Sequence, residues 1–178
     1  MKGPLFYAKI LLFGEYGIIK DSKGLAIPYS HYQGALKIAD QTNASQKKSN
    51  KNLFKFHAYL STLETDLFQF NLASFAEDIA KGMFFDSSIP QGYGVGSSGA
   101  LVAAVYDKYA FDKITVLENI TKEKLLHLKA VFSLMESFFH GKSSGLDPLN
   151  SYLSLPILIN SKDHIEATGI PYQKQGKA

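Results

Sequence analysis

Glu136, His140 and Asp147 fall within one short run, Glu136-Ser-Phe-Phe-His140-Gly-Lys-Ser-Ser144-Gly-Leu-Asp147. Glu136 and His140 are four apart, so a helix carries both on one face near its C-terminal end. Asp147 follows a Ser-Gly turn, from which its carboxylate can swing back toward the same space. One carboxylate for Mg²⁺ and a second for proton handling is what phosphoryl transfer requires, because Mg²⁺ favours oxygen ligands and a hydroxyl nucleophile must be positioned. The same spacing also suits a surface glutamate, a histidine at a helix C-terminal dipole and an aspartate in a turn before Pro148. Spacing alone does not choose between the two.

A second segment, Pro90-Gln-Gly-Tyr-Gly-Val-Gly-Ser-Ser-Gly-Ala100, places Gly92, Gly94 and Gly96 ahead of Ser97, Ser98 and Gly99 and then an apolar helical run. A loop bare of side chains thus delivers two hydroxyls and several backbone amides to a helix N-terminus, where the helix dipole also favours an anion. Phosphate is the expected ligand, although a glycine pattern also serves tight turns. No Lys follows, so this is not the Gly-x-x-x-x-Gly-Lys-Ser/Thr loop, and the strand–loop–helix unit of the dinucleotide fingerprint is not evident. The third candidate is Lys9, set among Phe6, Tyr7, Ile10, Leu11 and Leu12. Pointing inward, its ammonium needs a carboxylate, and Asp147 is a candidate; strand alternation equally permits an outward Lys9.

The elements that must position these residues read as follows. Residues 5–13 form an apolar strand, broken by Gly14-Glu-Tyr-Gly17 and resumed at Ile18-Ile19 before the turn Asp21-Ser-Lys-Gly24. Residues 25–27 and 32–38 are expected as further strands of an antiparallel meander, with Pro28 at an edge or bend. The polar stretch 40–52 reads as a loop or hairpin tip, and 53–59, with Phe54, Phe56 and Ala58 alternating against Lys55 and His57, as a strand. A helix is expected over 72–85, capped by Asn71 or Ser74, and another from Ser98 to about Ala110. A longer one starts at the N-cap Thr121, carries Leu125, Leu128, Phe132, Met135 and Phe139 on one stripe, and stops at Gly141.

The chain has 178 residues, 46% of them hydrophobic and 20% charged, which suits one soluble globular domain or one domain with a short extra piece. The absence of cysteine excludes disulfides, thiolate metal sites and cysteine nucleophiles. Much of the +3 formal charge sits in Lys47, Lys48, Lys51 and Lys55, read as one solvated loop, so no nucleic-acid partner is expected. No segment reaches the length of a membrane span and no signal peptide opens the chain, so a cytoplasmic location is expected.

Taken in order, these segments resemble the GHMP kinase superfamily, and within it the mevalonate kinases. Pro90-x-x-x-Gly94-Val-Gly96-Ser97-Ser98-Gly99-Ala100 is similar to the family's phosphate loop, Pro-x-x-x-Gly-Leu-Gly-Ser-Ser-Ala-Ala. Ala8-Lys9-Ile-Leu-Leu-Phe-Gly14-Glu15-Tyr16 resembles its first motif, and His140-Gly-Lys-Ser-Ser144-Gly-Leu-Asp147 resembles the pattern His-Gly-x-x-Ser-Gly-x-Asp. Two positions depart from it. Tyr16 stands where the family has His, and Gly99 replaces the first Ala after Ser-Ser, an exchange the loop is expected to tolerate.

The resemblance implies an α+β fold, the GHMP kinase N-terminal domain of the ribosomal protein S5 domain 2-like type. It places an ATP-binding domain at 1–160 and, at 161–178, the start of a C-terminal domain or a linker. It implies ATP and Mg²⁺ as cofactors, with Asp147 and Lys9 catalytic and Gly92, Gly94, Gly96, Ser97, Ser98 and Gly99 around the polyphosphate. Ser98 and Glu136 would hold the metal, and Glu15, Tyr16, His140 and Ser144 would line the substrate side. The implied activity is phosphorylation of a small-molecule hydroxyl, mevalonate first. Phosphomevalonate, homoserine and sugar kinases are the rivals in the same class, and a non-catalytic S5-like binding module is the rival outside it. A small-molecule substrate is the expected partner, and a homodimer is compatible with the reading. The chain corresponds in this reading to an N-terminal portion, expected to be inactive alone.

Overall fold

Apolar side chains at Phe6 and Ala8 are buried on one side of β1 (Phe6–Phe13). In the computed structural model, which describes residues 4–14, 23–39, 43–115, 120–161 and 164–168, β1 pairs antiparallel with β2 (Gly24–Ile38). The expected break and resumption over 15–22 lies outside the described residues. β2 is one strand of 15 residues where two were expected, and it runs straight through Pro28, opposite Lys9. The Lys9 N–H turns away from β2 and donates to the Val95 carbonyl at 3.0 Å. This cross-strand pair therefore belongs to the non-hydrogen-bonded kind, which asks no donor of a proline. β3 (Met83–Ser87) pairs with β2 only over 34–38 and β4 (Ile157–Ser161) only over 24–26, so Pro28 has β1 alone beside it. β5 (His164–Ala167) extends the antiparallel sheet from β4, and Ile165 lies buried in the core.

Two expectations fail between β2 and the glycine loop. Residues 44–61 form neither a loop nor a strand but α1 (Ala44–Ser61). Asn43 accepts from the Gln46 amide while the Gln46 side chain accepts from the Asn43 amide, a capping box that starts a helix in a polar stretch. The apparent alternation misleads because Phe54 is 62% exposed while Leu53, Phe56 and Leu60 are buried, a helical spacing of three and four. Lys47, Lys48, Lys51 and Lys55 thus ride a helix, not a loop. The helix expected over 72–85 is shorter: α2 (Leu72–Ala80), capped by Asn71, ends before Gly82 at φ +86°, and β3 follows. Phe75 and Ile79 face the core from α2, and Met83 joins them from the strand.

The remaining helices hold the site. α3 (Ser97–Tyr109) buries Ala100, Val102, Ala103, Ala104, Val105 and Tyr106, so it is apolar nearly all round and occupies the centre of the core. α4 (Lys122–His140) starts at Thr121, whose hydroxyl accepts from the Lys124 amide, and ends at Gly141, as its caps imply. α5 (Leu146–Leu153) was not foreseen; Asp147 stands in its first turn, where a negative charge is favoured and Pro148 is tolerated. Two buried polar side chains tie α5 to the sheet. Ser151 donates to the Tyr7 carbonyl at 2.8 Å, and Asn150 donates to the carbonyls of Ala26 at 3.3 Å and Leu155 at 3.0 Å. Among the described residues, no helix is long and apolar enough to cross a membrane.

Gly145, at the head of α5, has φ +74°, and a Cβ there would lie 2.2 Å from the Lys129 carbonyl oxygen of α4. Left-handed strain and a backbone clash add, so Gly145→Ala is expected to lose about 3 kcal/mol of stability. Urea unfolding checks this, and a loss under about 1 kcal/mol would show that α5 and α4 can separate at little cost.

Candidate active site

The glycine loop between β3 and α3 turns back on itself through left-handed backbone at Gly92, Gly94 and Gly96, with φ of +82°, +67° and +80°. It is pinned to β1 by the Lys9 N–H to Val95 carbonyl bond. Gly96 is the N-cap of α3, and no side chain caps that helix, in contrast to Asn43 on α1, Asn71 on α2 and Thr121 on α4. The first α3 backbone bond runs from Ala100 to the Gly96 carbonyl at 3.0 Å, which leaves the amides of Ser97, Ser98 and Gly99 ahead of the ladder. Open first-turn amides at the positive end of a buried helix form an anion-binding terminus.

Beneath the loop, Lys9 Nζ lies 3.0 Å from Asp147 Oδ1, with side-chain exposures of 14% and 32%. Lys9 therefore points inward, and the carboxylate suggested by the sequence is its partner. The pair explains two of the glycines. A Cβ on Gly96 would sit 3.0 Å from Lys9 Cγ, and one on Gly99 would sit 2.7 Å from both the Asp147 carbonyl carbon and the Pro148 nitrogen. Gly99 is thus more than a tolerated exchange of small residues; it lets the backbone of α5 press against the first turn of α3.

Ser98 meets the C-terminal end of α4. Its Oγ donates to Glu136 Oε1 at 3.0 Å and lies 3.0 Å from His140 Nε2. The other Glu136 oxygen accepts from the Ser143 hydroxyl, which itself accepts from the Gly145 amide at 3.0 Å. Glu136 is only 3% exposed. Burial pushes its carboxyl above the usual range; the bond from Ser143 opposes this, the charge of Asp147 adds to it, and the bond from Ser98 and the nearby His140 oppose it again. One hydroxyl and one carboxylate side by side make a hard-oxygen donor pair of the kind that binds Mg²⁺ together with phosphate oxygens, so these residues fit that ion.

The loop, Ser98 and the Asp147 member of the ion pair border a cleft of about 810 Å³. Its opposite wall is the N-terminal part of α1, with Asn43, Gln46, Lys48 and Asn52. Sequence reading missed that wall because it took 40–52 for a loop; the Asn43-x-x-Gln46 capping signature was the available clue. Gly92, Gly94, Gly96, Ser97, Ser98, His140 and Asp147 all line the cleft. His140, expected on the substrate side, rests against Ser98. Ser144 is occupied locally, its Oγ accepting from the Leu146 amide at 3.4 Å. Glu15 and Tyr16 lie outside the described residues.

An antiparallel sheet backed by helices, with a central helix behind a glycine loop, is an α+β arrangement. The sequence pattern of the GHMP kinases N terminal domain matches residues 59–154, more than half of the chain, and the chain belongs to this family. Among solved structures, the fold is similar to the mevalonate kinase of Methanococcus jannaschii, at a TM-score of 0.52 and 12% identity over 96% of this chain and 56% of that one. The L. major mevalonate kinase in complex with R-mevalonate gives 0.49 and 19% over 89% and 51%, and the Staphylococcus aureus MRSA252 enzyme 0.47 and 19% over 92% and 53%. The chain thus spans about half the length of the structures it matches. No curated protein sequence matches it significantly.

The raised pKa of Glu136 has a stability signature. A carboxyl that holds its proton more tightly folded than unfolded adds stability in full below the unfolded pKa, and this is lost as pH rises through the folded value. Glu136→Gln cannot ionise, so in the absence of metal its urea midpoint is expected to exceed that of the wild type at neutral pH. The gap should close as the pH falls toward about 4. A gap independent of pH would contradict a raised carboxyl.

Proposed function

We propose that this chain is the nucleotide-binding half of an ATP-dependent kinase acting on a small-molecule hydroxyl, with mevalonate the first candidate. The observation that carries the reading is the Lys9–Asp147 pair lying under a loop whose helix N-terminus is open, with Ser98 and Glu136 alongside. In this reading the amides of 97–99 receive the phosphates of ATP. Asp147 orients the substrate hydroxyl and takes its proton while that oxygen attacks the γ-phosphorus and ADP leaves. Lys9 stabilises the negative charge that develops on the attacking oxygen, and its ion pair holds Asp147 in place. Ser98 and Glu136 hold Mg²⁺, which supplies charge neutralisation on the polyphosphate when bound. The α1 wall, with Asn43, Gln46, Lys48 and Asn52, faces the remainder of the nucleotide.

Mevalonate is favoured by the His140–Asp147 motif and by the names of the structures that share the fold. The rival reading is a non-catalytic S5-like binding module, which lysines clustered on one sheet face would favour. The clustered lysines lie on α1, and Lys48 lines the cleft.

The intact enzyme is to be assayed with ATP and Mg²⁺ on mevalonate, phosphomevalonate, homoserine and sugars, beside calorimetric titration with Mg²⁺·ADP. Asp147→Asn is expected to lower phosphoryl transfer by roughly 10²–10⁴-fold while nucleotide affinity stays near wild type. Turnover retained by Asp147→Asn would remove Asp147 from this role. Turnover of another hydroxyl but not mevalonate would change the substrate and keep the class.

A further inference from the structure

Ser98 Oγ sits at one distance, 3.0 Å, from two partners, Glu136 Oε1 and His140 Nε2. A hydroxyl has one proton to give and two lone pairs to receive, whereas an ionised carboxylate only accepts. The single Ser98 proton therefore goes to Glu136, and the imidazole must supply an N–H to Ser98. One Ser98 lone pair is then occupied by His140, and among the described residues nothing takes the other.

We infer that His140 is a positioning residue: its Nε2–H holds the Ser98 hydroxyl in the orientation that keeps one lone pair available to the cation accompanying the nucleotide. The inference rests on the kinase reading above and moves His140 from the substrate side to the metal side of the cleft. The surrounding geometry supports a built arrangement. Glu136 is held at one oxygen by Ser98 and at the other by Ser143. Ser143 is fixed in turn by the Gly145 amide at 3.0 Å on its hydroxyl and by the Ser133 hydroxyl at 2.6 Å on its carbonyl. Among the described residues, His140 is the one that gives Ser98 the same service. The ring reaches it because His140 is the last residue of α4, where Gly141 at φ +69° ends the helix beside the start of α3.

Calorimetric titration with ADP, with and without Mg²⁺, tests the assignment. His140→Leu is expected to reduce the Mg²⁺-dependent gain in ADP affinity about fivefold, the size of one ordinary hydrogen bond, and to change metal-free ADP affinity by less. His140→Gln retains an N–H donor and should recover most of the gain. In a Ser98→Ala background His140→Leu should cost nothing further, because the group it positions is gone. Equal losses with and without Mg²⁺, no rescue by Gln, or full additivity with Ser98→Ala would each overturn the positioning role. A wild-type protein that shows no Mg²⁺-dependent ADP binding would instead overturn the kinase reading, and this inference with it.

Discussion

Lys9 carries an ammonium into a strand whose neighbours are Phe6, Ala8 and Ile10, and a charge in that setting needs an opposite charge beside it. Asp147 meets the need only if α5 lies tight against β1 and under the glycine loop. Much else in the domain serves that approach. Ser151 and Asn150 moor α5 to the strands, Gly99 removes the side chain that would hold α5 off α3, and Gly145 lets the chain turn into α5 against the backbone of α4. Gly96 in turn clears room for the Lys9 stem. A single ion pair thus explains a set of small and polar residues scattered from 9 to 151.

The same close packing arranges charge around the cleft. Lys9 and the N-terminus of α3 are positive, while Glu136 and Asp147 are negative; burial, with the charge of Asp147 adding to it, raises the carboxyl of Glu136. Burial makes each of these groups costly without a partner. Ser98 and Ser143 share the load on Glu136 by donating one hydroxyl proton to each oxygen. In the function proposed above, a divalent cation and a polyphosphate together would complement this charge pattern.

Parts of the fold were legible where the signal is local. α3 and α4 announce themselves by the glycine loop, by Thr121 as a cap, by the stripe of Leu125, Leu128, Phe132 and Met135, and by Gly141 at the end. α1 was misread because its buried residues are few. Only Leu53, Phe56 and Leu60 are fully covered, and the exposed Phe54 imitates a strand's alternation. Met83 and Phe84 looked like the last turn of α2 because an apolar residue after Ile79 suits either a helix face or a new strand. Pairing with β2 decides for the strand, and that partner lies some 45 residues earlier, as in Met83 against Ile38. α5 escaped notice because Gly145 and Pro148 read as turn residues, yet a left-handed N-cap and a first-turn proline are both compatible with a helix start.

The order and spacing of residues by themselves determined the chemistry on offer: a glycine loop into a helix, Glu136 and His140 on one helical face, one Lys in an apolar strand, and no thiol. These follow from backbone geometry within a few residues, which any chain with that sequence shares. Only the tertiary structure decided that Lys9 points inward to Asp147, that His140 serves Ser98, and that α1 closes the cleft across from the loop. Such facts depend on which face each element buries, and burial is settled by the whole core at once, through contacts between residues more than a hundred positions apart.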